Sequence, residues 1–209
     1  LTDSSYQVVK CKLLLNIGET MNTKIWIIIG LFIVICAGAA YKVFANQYKE
    51  VNMSDKKILI AYFSHSGNTK AAAEKIQKIT GGDLFEITPK NPYPKEYNAV
   101  VNQGKLEKEN NVFPELKNNG NTSDYDIIFV GTPVWWYTMA PPVKTFIAKI
   151  NFNGKTRVPF CTHGGGGASS TYTDMQKLAP DAKVLAGYTS YENSAADGEI
   201  KKWLNNLKF

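Results

Sequence analysis

Apolar and polar positions alternate in two distinct patterns from residue 55 onward. Short runs that are almost wholly apolar are typical of strands buried on both faces, whereas apolar stripes at i, i+3, i+4 and i+7 are typical of helices that cover such a sheet. The runs predict five strands, at Lys57–Phe63, Leu84–Ile87, Asp126–Val130, Val158–Thr162 and Val184–Tyr188. Since a helical stripe follows each strand, residues 55–209 are predicted to form one α/β domain with a doubly wound, five-stranded parallel sheet.

Capping and breaking residues mark where the intervening helices begin and end. The first stripe stops at Gly81-Gly82, and a weaker helix is predicted after Pro94. The adjacent prolines Pro141-Pro142 open a third helix, a fourth is predicted around residues 170–178, and Ser194 is predicted to cap the last.

A third pattern precedes this domain. Residues Ile25–Tyr41 carry no charge and are bracketed by Lys24 and Lys42. As a helix this segment would reach about 25 Å, short of the roughly 30 Å hydrocarbon core of a bilayer, which it could still span with little tilt and with Lys42 snorkelling. A short basic start and a small-residue exit at Ala37–Ala40 are also typical of a signal peptide. The segment therefore predicts export or membrane anchoring.

These features divide the chain before the domain into three parts. Residues 21–45 are predicted to be a signal peptide or membrane anchor that places the domain on the extracytoplasmic side, and residues 46–54 a polar linker. Residues 1–20 are predicted to be a non-native or disordered extension upstream of a natural start at Met21. Lipidation at Cys36 is not expected, because Ile35 stands where a lipobox requires a small residue.

Composition narrows the function classes. Of 209 residues, 44% are hydrophobic and 20% charged, which excludes a disordered or collagen-like chain. Three scattered cysteines and two histidines argue against a disulfide scaffold and against a metal centre. The net charge is +6, and the basic residues do not form one long run. Such a charge can attract anionic ligands, but without a basic run no nucleic-acid role is predicted.

Candidate chemistry follows the first strand, because open parallel sheets bind ligands at the carboxyl ends of their strands. Residues 64–69 (Ser-His-Ser-Gly-Asn-Thr) offer hydroxyls, an amide and backbone N–H groups at a helix N-terminus, which together make a phosphate cradle. An ordinary capped loop is the alternative interpretation. Neither a Walker lysine pattern nor G-x-G-x-x-G is present there, so a nucleoside triphosphate or a dinucleotide is not favoured.

Three loops carry a resemblance to a known family. Residues 60–69 (Ile-Ala-Tyr-Phe-Ser-His-Ser-Gly-Asn-Thr) resemble the FMN-phosphate signature of flavodoxins. Gly131–Trp136 together with Pro141-Pro142 resembles the second flavin loop of a flavodoxin-like subgroup, and Thr162–Gly167 is similar to its third. The resemblance extends over Lys57 to Leu207 with the loops in the right order, and it implies a flavodoxin-like fold that binds FMN.

The resemblance also implies which residues contact FMN. They are Ser64, His65, Ser66, Gly67, Asn68, Thr69, Thr132, Pro133, Val134, Trp135, Trp136, Thr162, His163, Gly164, Gly165 and Gly166. The residue types are consistent with this. One tryptophan can stack on the isoalloxazine ring, with Trp135 favoured by position, although either indole could be core. The glycines let backbone amides approach the pyrimidine edge. His163 is either close to that edge or a solvated loop residue, and Cys161 is expected to be buried.

The functional expectation is an FMN-binding electron-transfer protein that serves redox protein partners or small electron acceptors. It would be held at the membrane through its N-terminal segment. Two alternatives stay open at this point: an FMN-dependent NAD(P)H:quinone-type reductase, and a cofactor-free binding module of the same fold. An electron carrier is favoured over a dedicated enzyme, and no catalytic residue is predicted.

Overall fold

The structure, a computed structural model, describes residues 55–209. The predicted extension over 1–20, the signal peptide or anchor over 21–45 and the linker over 46–54 lie outside the described residues. Within residues 55–209, none of the helices is both long and apolar enough to traverse a bilayer.

Strands and helices alternate through the described residues. The strands are β1 (Ile58–Tyr62), β2 (Asp83–Glu86), β3 (Ile127–Trp135), β4 (Thr138–Met139), β5 (Thr156–His163), β6 (Lys183–Val184) and β7 (Tyr188–Tyr191). The helices are α1 (Asn68–Thr80), α2 (Tyr97–Glu109), α3 (Pro141–Lys149), α4 (Thr171–Leu178) and α5 (Asp197–Asn206).

One sheet organises the described residues, in the strand order β2-β1-β3-β5-β6. All neighbours along this path are parallel, and β7 also pairs in parallel with β5. The chain therefore runs from β1 outward to β2 and then returns to the other side of β1 as β3. This reversal confirms the predicted doubly wound α/β fold.

The core lies on both faces of the sheet, as the apolar runs predicted. One face carries Leu59 and Ala61 from β1 and packs under α3 and α4, with Phe146 and Met175 buried there. The other face packs under α1 and α5. On that face Ile58, Ile60, Tyr62, Phe129, Phe160, Ile76, Ile200 and Leu204 form the buried cluster. Side chains of β1 alternate between the two clusters because successive strand residues point to opposite faces.

Two elements differ from their predicted form. The strand predicted to end at Val130 continues to Trp135 and turns back as β4. The predicted fifth strand is interrupted, with β6 and β7 both pairing with β5 on either side of residues 185–187. The ring of Tyr172 lies against Gly187 there, so close that a Cβ would approach it to 2.6 Å, and only glycine fits at this position.

The predicted cap at Ser194 is wrong. Helix α5 begins at Asp197, after Ala196, which has no side chain able to cap it. The N–H of Ser194 instead donates to the carbonyl of Tyr191, at 2.8 Å, in the turn that follows β7. A serine near a helix start can cap the helix or lie in the turn before it, and Ser194 lies in the turn.

Candidate functional site

Three loops meet at the carboxyl ends of β1, β3 and β5. Tyr62 of β1 is in register with Gly131 of β3, and the N–H of Phe63 donates to the Gly131 carbonyl at 3.1 Å. Pro133 is in register with Thr162 of β5. The strand order reverses between β1 and β3, so this edge is the topological switch point, where open α/β sheets form their ligand crevice.

The phosphate loop (residues 64–69) ends β1 and begins α1. Gly67 adopts a left-handed φ of 92°, which a glycine takes without steric cost, and its N–H donates to Ser64 Oγ at 3.1 Å. No side chain caps α1, and no acidic residue lies in its first turn. The amides of Asn68, Thr69 and Lys70 have no acceptor among the described residues. Such a helix terminus carries partial positive charge and favours an anion.

Side chains of this loop divide into two groups. Those of Ser66 and Asn68 form no hydrogen bond with any described residue, so they remain available to a ligand. Thr69 is buried, and its hydroxyl lies 2.8 Å from that of Thr162 on β5. Ser64 is engaged by Gly67. The loop thus offers free donors at its surface, while a buried threonine pair joins its base to β5.

The aromatic hairpin (residues 132–139) forms the second wall of the crevice. Val134 pairs with Met139 and Trp135 with Thr138, which leaves Trp136 and Tyr137 as a two-residue turn. Both adopt left-handed backbone angles, with φ of 50° and 68°. Turns of this kind prefer Asn-Gly, and a left-handed bulky residue costs roughly 1–2 kcal/mol. Two large aromatic residues therefore stand here against local backbone preference.

Contacts from three elements hold the hairpin in place. The indole N–H of Trp136 donates to the Val101 carbonyl of α2 at 2.9 Å. The N–H of Ser170 donates to the Tyr137 carbonyl at 3.0 Å. The hydroxyl of Thr138 donates to Asp174 Oδ2 of α4 at 2.8 Å. Tertiary hydrogen bonds, rather than turn propensity, fix this wall.

Asp174 is the ionised centre of that network. Besides Thr138, Ser170 Oγ lies 2.6 Å and Lys177 Nζ 3.1 Å from its carboxylate. Partial burial opposes ionisation, but the hydrogen bonds from Ser170, Thr138 and Lys177 outweigh it and hold the pKa of Asp174 below its ordinary value.

Thr132 lies beneath the hairpin. It is fully buried, and its hydroxyl accepts the N–H of Ala140 at 3.0 Å and donates to the Pro133 carbonyl at 2.8 Å. Both hydrogen bonds close the base of the hairpin. The hydroxyls of Thr132 and Thr162 thus both have partners within the protein, and FMN contact by either residue stays a prediction.

Trp135 is half-buried in a cluster of aromatic rings. Its ring lies edge-on to Tyr93 at a centroid distance of 5.0 Å and to Phe63 at 5.5 Å, and Gly104 of α2 packs against it. It also meets His65 of the phosphate loop at 5.9 Å. This last contact joins the first two walls of the crevice, and flavin stacking by Trp135 stays a prediction.

The glycine loop (residues 163–169) forms the third wall. The N–H of Gly165 donates to His163 Nδ1 at 3.0 Å. With Nδ1 as acceptor, the neutral imidazole carries its proton on Nε2, which is then a donor. Residues 164–166 are exposed, and a Cβ added to Gly164 would meet nothing within 4 Å. The loop presents backbone to open space, which suits close approach by a planar ligand.

Two exposed aromatic residues at this edge escaped the sequence reasoning. Tyr137 is 68% exposed at the tip of the hairpin, and Tyr191, 51% exposed, lies with its ring 5.8 Å from that of His163. The signal for Tyr191 was the end of the fifth strand, which must reach the same edge as the others. That signal was missed because the strand was predicted to stop at Tyr188.

Cys161 lies below the crevice and takes no part in its surface. It is fully buried, with its sulfur 3.3 Å from the hydroxyl of Tyr172, and burial raises the pKa of the thiol. The expectation of a buried strand residue is confirmed.

Comparisons with known proteins agree with this geometry. A flavodoxin family model matches residues 57–207. A candidate flavoprotein of Bacteroides eggerthii is 33% identical in sequence with a TM-score of 0.65, over 72% of this chain and 97% of its own. A second candidate flavoprotein, from Bacteroides uniformis, is 29% identical with a TM-score of 0.65, and the match covers 72% of this chain and 99% of that protein. A flavoprotein of Lactobacillus acidophilus, solved in complex with FMN, is 28% identical with a TM-score of 0.58, over 71% and 98%. No curated protein matches the chain.

Proposed function

Because this chain belongs to the flavodoxin family, we propose that it binds FMN and transfers electrons between redox partners. The observation that carries the proposal is the juxtaposition at the switch point: an uncapped helix terminus without acidic residues lies across one crevice from an open, glycine-rich backbone. FMN has a phosphomonoester at one end and a flat heteroaromatic ring at the other, so it matches both. When bound, it supplies one- and two-electron chemistry.

The phosphate end is assigned to the phosphate loop. Free amides of Asn68, Thr69 and Lys70 converge there, and the unpartnered side chains of Ser66 and Asn68 add two further donors. The hydroxyls of Ser64 and Thr69 form hydrogen bonds within the protein, with Gly67 and Thr162. We therefore assign them to positioning the loop, and the main phosphate contacts to the amides and to Ser66 and Asn68.

The ring end is assigned to the aromatic hairpin and the glycine loop. Exposed backbone at Gly164 and Gly166 offers N–H groups without side chains in the way, whereas the N–H of Gly165 is used by His163. The Nε2–H of His163 adds a side-chain donor. Pro133, Val134, Trp135 and Trp136 supply the apolar wall. Among the described residues, the loops 64–69, 132–137 and 163–169 contain no carboxylate.

Ligand binding tests the assignment. Purified full chain is expected to be yellow or to take up FMN with a flavin absorbance band. Ser66→Ala combined with Asn68→Ala should weaken FMN at least about 100-fold, because each lost hydrogen bond to a charged group contributes about 1.5–3 kcal/mol. The same double variant should bind riboflavin, which lacks the phosphate, as tightly as the parent does. Equal loss of both ligands would move the phosphate elsewhere, and a protein that binds neither flavin would be a cofactor-free module.

Turnover separates a carrier from a reductase. A carrier of the proposed kind is reduced by a redox protein partner and passes electrons on to a second partner or to a small acceptor. The FMN-loaded chain alone should therefore consume neither NADH nor NADPH in the presence of a quinone. Rapid, saturable consumption would make it an NAD(P)H:quinone-type reductase instead.

We further propose that the domain works outside the cytoplasm, held or released at the membrane by residues 21–45. The support is the uncharged run Ile25–Tyr41 with its flanking lysines. Fusing residues 21–54 to a reporter that is active only after export tests this. A reporter that stays cytoplasmic and inactive contradicts it, and Cys36→Ser should leave the outcome unchanged.

A further inference from the structure

A second concave region lies behind the aromatic hairpin. It is a solvent-open cavity of about 290 Å³, lined by residues of α2, β4, α3 and α4 and by Val112. Thr138 and Met139 of β4 line it, whereas residues 133–136 of the same hairpin do not. The volume corresponds to about ten water molecules, which is room for a molecule with a single ring.

The floor of this cavity is apolar. Met139, Pro141, Val112 and Leu178 contribute side chains from four different segments. Water or an inorganic anion in the cavity would leave these surfaces hydrated, whereas an apolar body would cover them at roughly 25 cal/mol per Å². The floor therefore favours an organic ligand.

The rim carries three lysines and two acidic residues. Both acids are already engaged: Glu107 accepts hydrogen bonds from Tyr93 and from Gln103, and Asp174 is held by the hydrogen bonds described above. Lys177 is paired with Asp174 at 3.1 Å. The acidic groups thus have their donors within the protein.

Lys108 and Lys144 are the cations left over. Lys108 forms no ion pair with any described residue. Lys144 Nζ donates to the neutral amide oxygen of Asn111 and lies 4.3 Å from the ring centroid of Phe113. Partial burial lowers the pKa of Lys144, which the charge of Asp174 offsets only in part. A half-buried ammonium without a carboxylate partner is stabilised by an incoming anion.

We propose that this cavity binds a small aromatic carboxylate, with its ring on the apolar floor and its carboxylate between Lys108 and Lys144. The apolar floor selects the ring and the two lysines select the charge. The proposal does not depend on FMN, because the cavity shares only Thr138 and Met139 with the aromatic hairpin and none of its lining residues with the phosphate loop or the glycine loop.

Methionine methyl NMR offers a direct readout, since the chain has only four methionines. Met139 lines the cavity, whereas Met175 lies in the core cluster and does not line it. Benzoate added to the full chain, labelled at the methionine methyl groups, should shift the Met139 resonance saturably and leave Met175 as an internal reference. Met139→Leu assigns the signal.

Ligand and variant controls test the two halves of the proposal. Benzyl alcohol, which has the ring without the charge, should bind at least about tenfold more weakly than benzoate, and inorganic phosphate should not shift Met139. Lys144→Gln and Lys108→Gln should each weaken benzoate about tenfold while leaving benzyl alcohol unchanged. Lys149→Gln is the matched control, because Lys149 lies on the same helix, donates to the amide oxygen of Asn119 and does not line the cavity.

Three results would overturn the proposal: no saturable shift of Met139 with benzoate, equal affinity for benzoate and benzyl alcohol, or equal weakening by Lys149→Gln. Each is distinct from a failure to bind FMN, which is read from flavin absorbance on the same samples.

Discussion

The aromatic hairpin and the glycine loop are two walls of one crevice, and they differ in how the rest of the protein contacts them. The hairpin keeps bulky residues in left-handed angles and is tied by side-chain hydrogen bonds to α2 and α4. The glycine loop is exposed at residues 164–166, and space there is open. A wall fixed by hydrogen bonds to α2 and α4 is thus combined with one of exposed backbone, which suits the hairpin to orient a ligand and the glycine loop to admit its edge closely.

The largest expected effect comes from the strand beneath the hairpin. A methyl group at Gly131 would lie 2.1 Å from the fully buried ring of Phe160 on the neighbouring strand. Gly131→Ala should therefore destabilise the fold by about 3 kcal/mol through overpacking, measured by urea unfolding. Phe160→Leu in the same chain should recover part of that loss. If the losses in unfolding free energy of Gly131→Ala and Phe160→Leu simply add in the double variant, the contact between the two residues does not cause the destabilisation.

Removing the carboxylate that holds the hairpin should have the next largest effect. Asp174→Ala leaves the hydroxyls of Thr138 and Ser170 without their acceptor and should cost about 2 kcal/mol at pH 7, reduced by partial solvent exposure. The folded-state pKa is lowered, so this stability is present above the unfolded value of about 3.9 and is lost as the pH falls through the folded value.

Thermal unfolding from pH 7 to pH 3 measures this dependence. The gap between parent and Asp174→Ala should stay constant down to about pH 5 and narrow below about pH 4. Asp174→Asn keeps an acceptor and should fall between the two proteins. A gap that widens in acid would reverse the assigned sign.

Relaxing the turn should change stability in the opposite direction. Tyr137→Gly places a residue without a Cβ at a φ of 68° and should raise stability by about 1 kcal/mol, seen as a higher Tm. FMN affinity should fall, because the exposed ring at the tip is lost. If the variant were less stable, contacts of the Tyr137 ring would outweigh the backbone strain.

The smallest effect on stability is expected in the glycine loop. Gly164→Ala meets nothing within 4 Å and is not in the left-handed region, so Tm should be unchanged or slightly raised. FMN should nevertheless bind about tenfold more weakly, because the methyl group occupies the approach to the backbone amides. This variant is the control for Gly131→Ala, because the same methyl group is added to open space instead of against the Phe160 ring. A lower Tm for Gly164→Ala would mean that the added methyl group meets packed atoms rather than open space.

Much of the site could be predicted because it follows from local pattern. The run at β1, the glycine at position 67 and the polar loop before α1 are neighbours in sequence, so their chemistry and their placement are read together. The parallel arrangement followed from strands alternating with helices, and it brought the three loops to one edge.

What failed depended on residues far apart in the chain. The Tyr172 ring lies against Gly187 in the gap between β6 and β7, and no local signal announces that contact. The contact between the hydroxyls of Thr69 and Thr162, 93 positions apart, is likewise set by packing between elements, and FMN contact by Thr69 stays a prediction.

The sequence by itself determined the order of strands and helices, the edge where ligands bind and the residue types at that edge, because periodicity and breakers act over a few residues. Tertiary structure decided which of those side chains are free. It drew Thr132 and Thr162 into the interior and packed Trp135 edge-on against Tyr93, and it held Trp136 and Tyr137 in a turn that they do not favour locally. The physical reason is that hydrogen-bond partners and ring contacts are set by packing between elements, and packing is not encoded in any one segment.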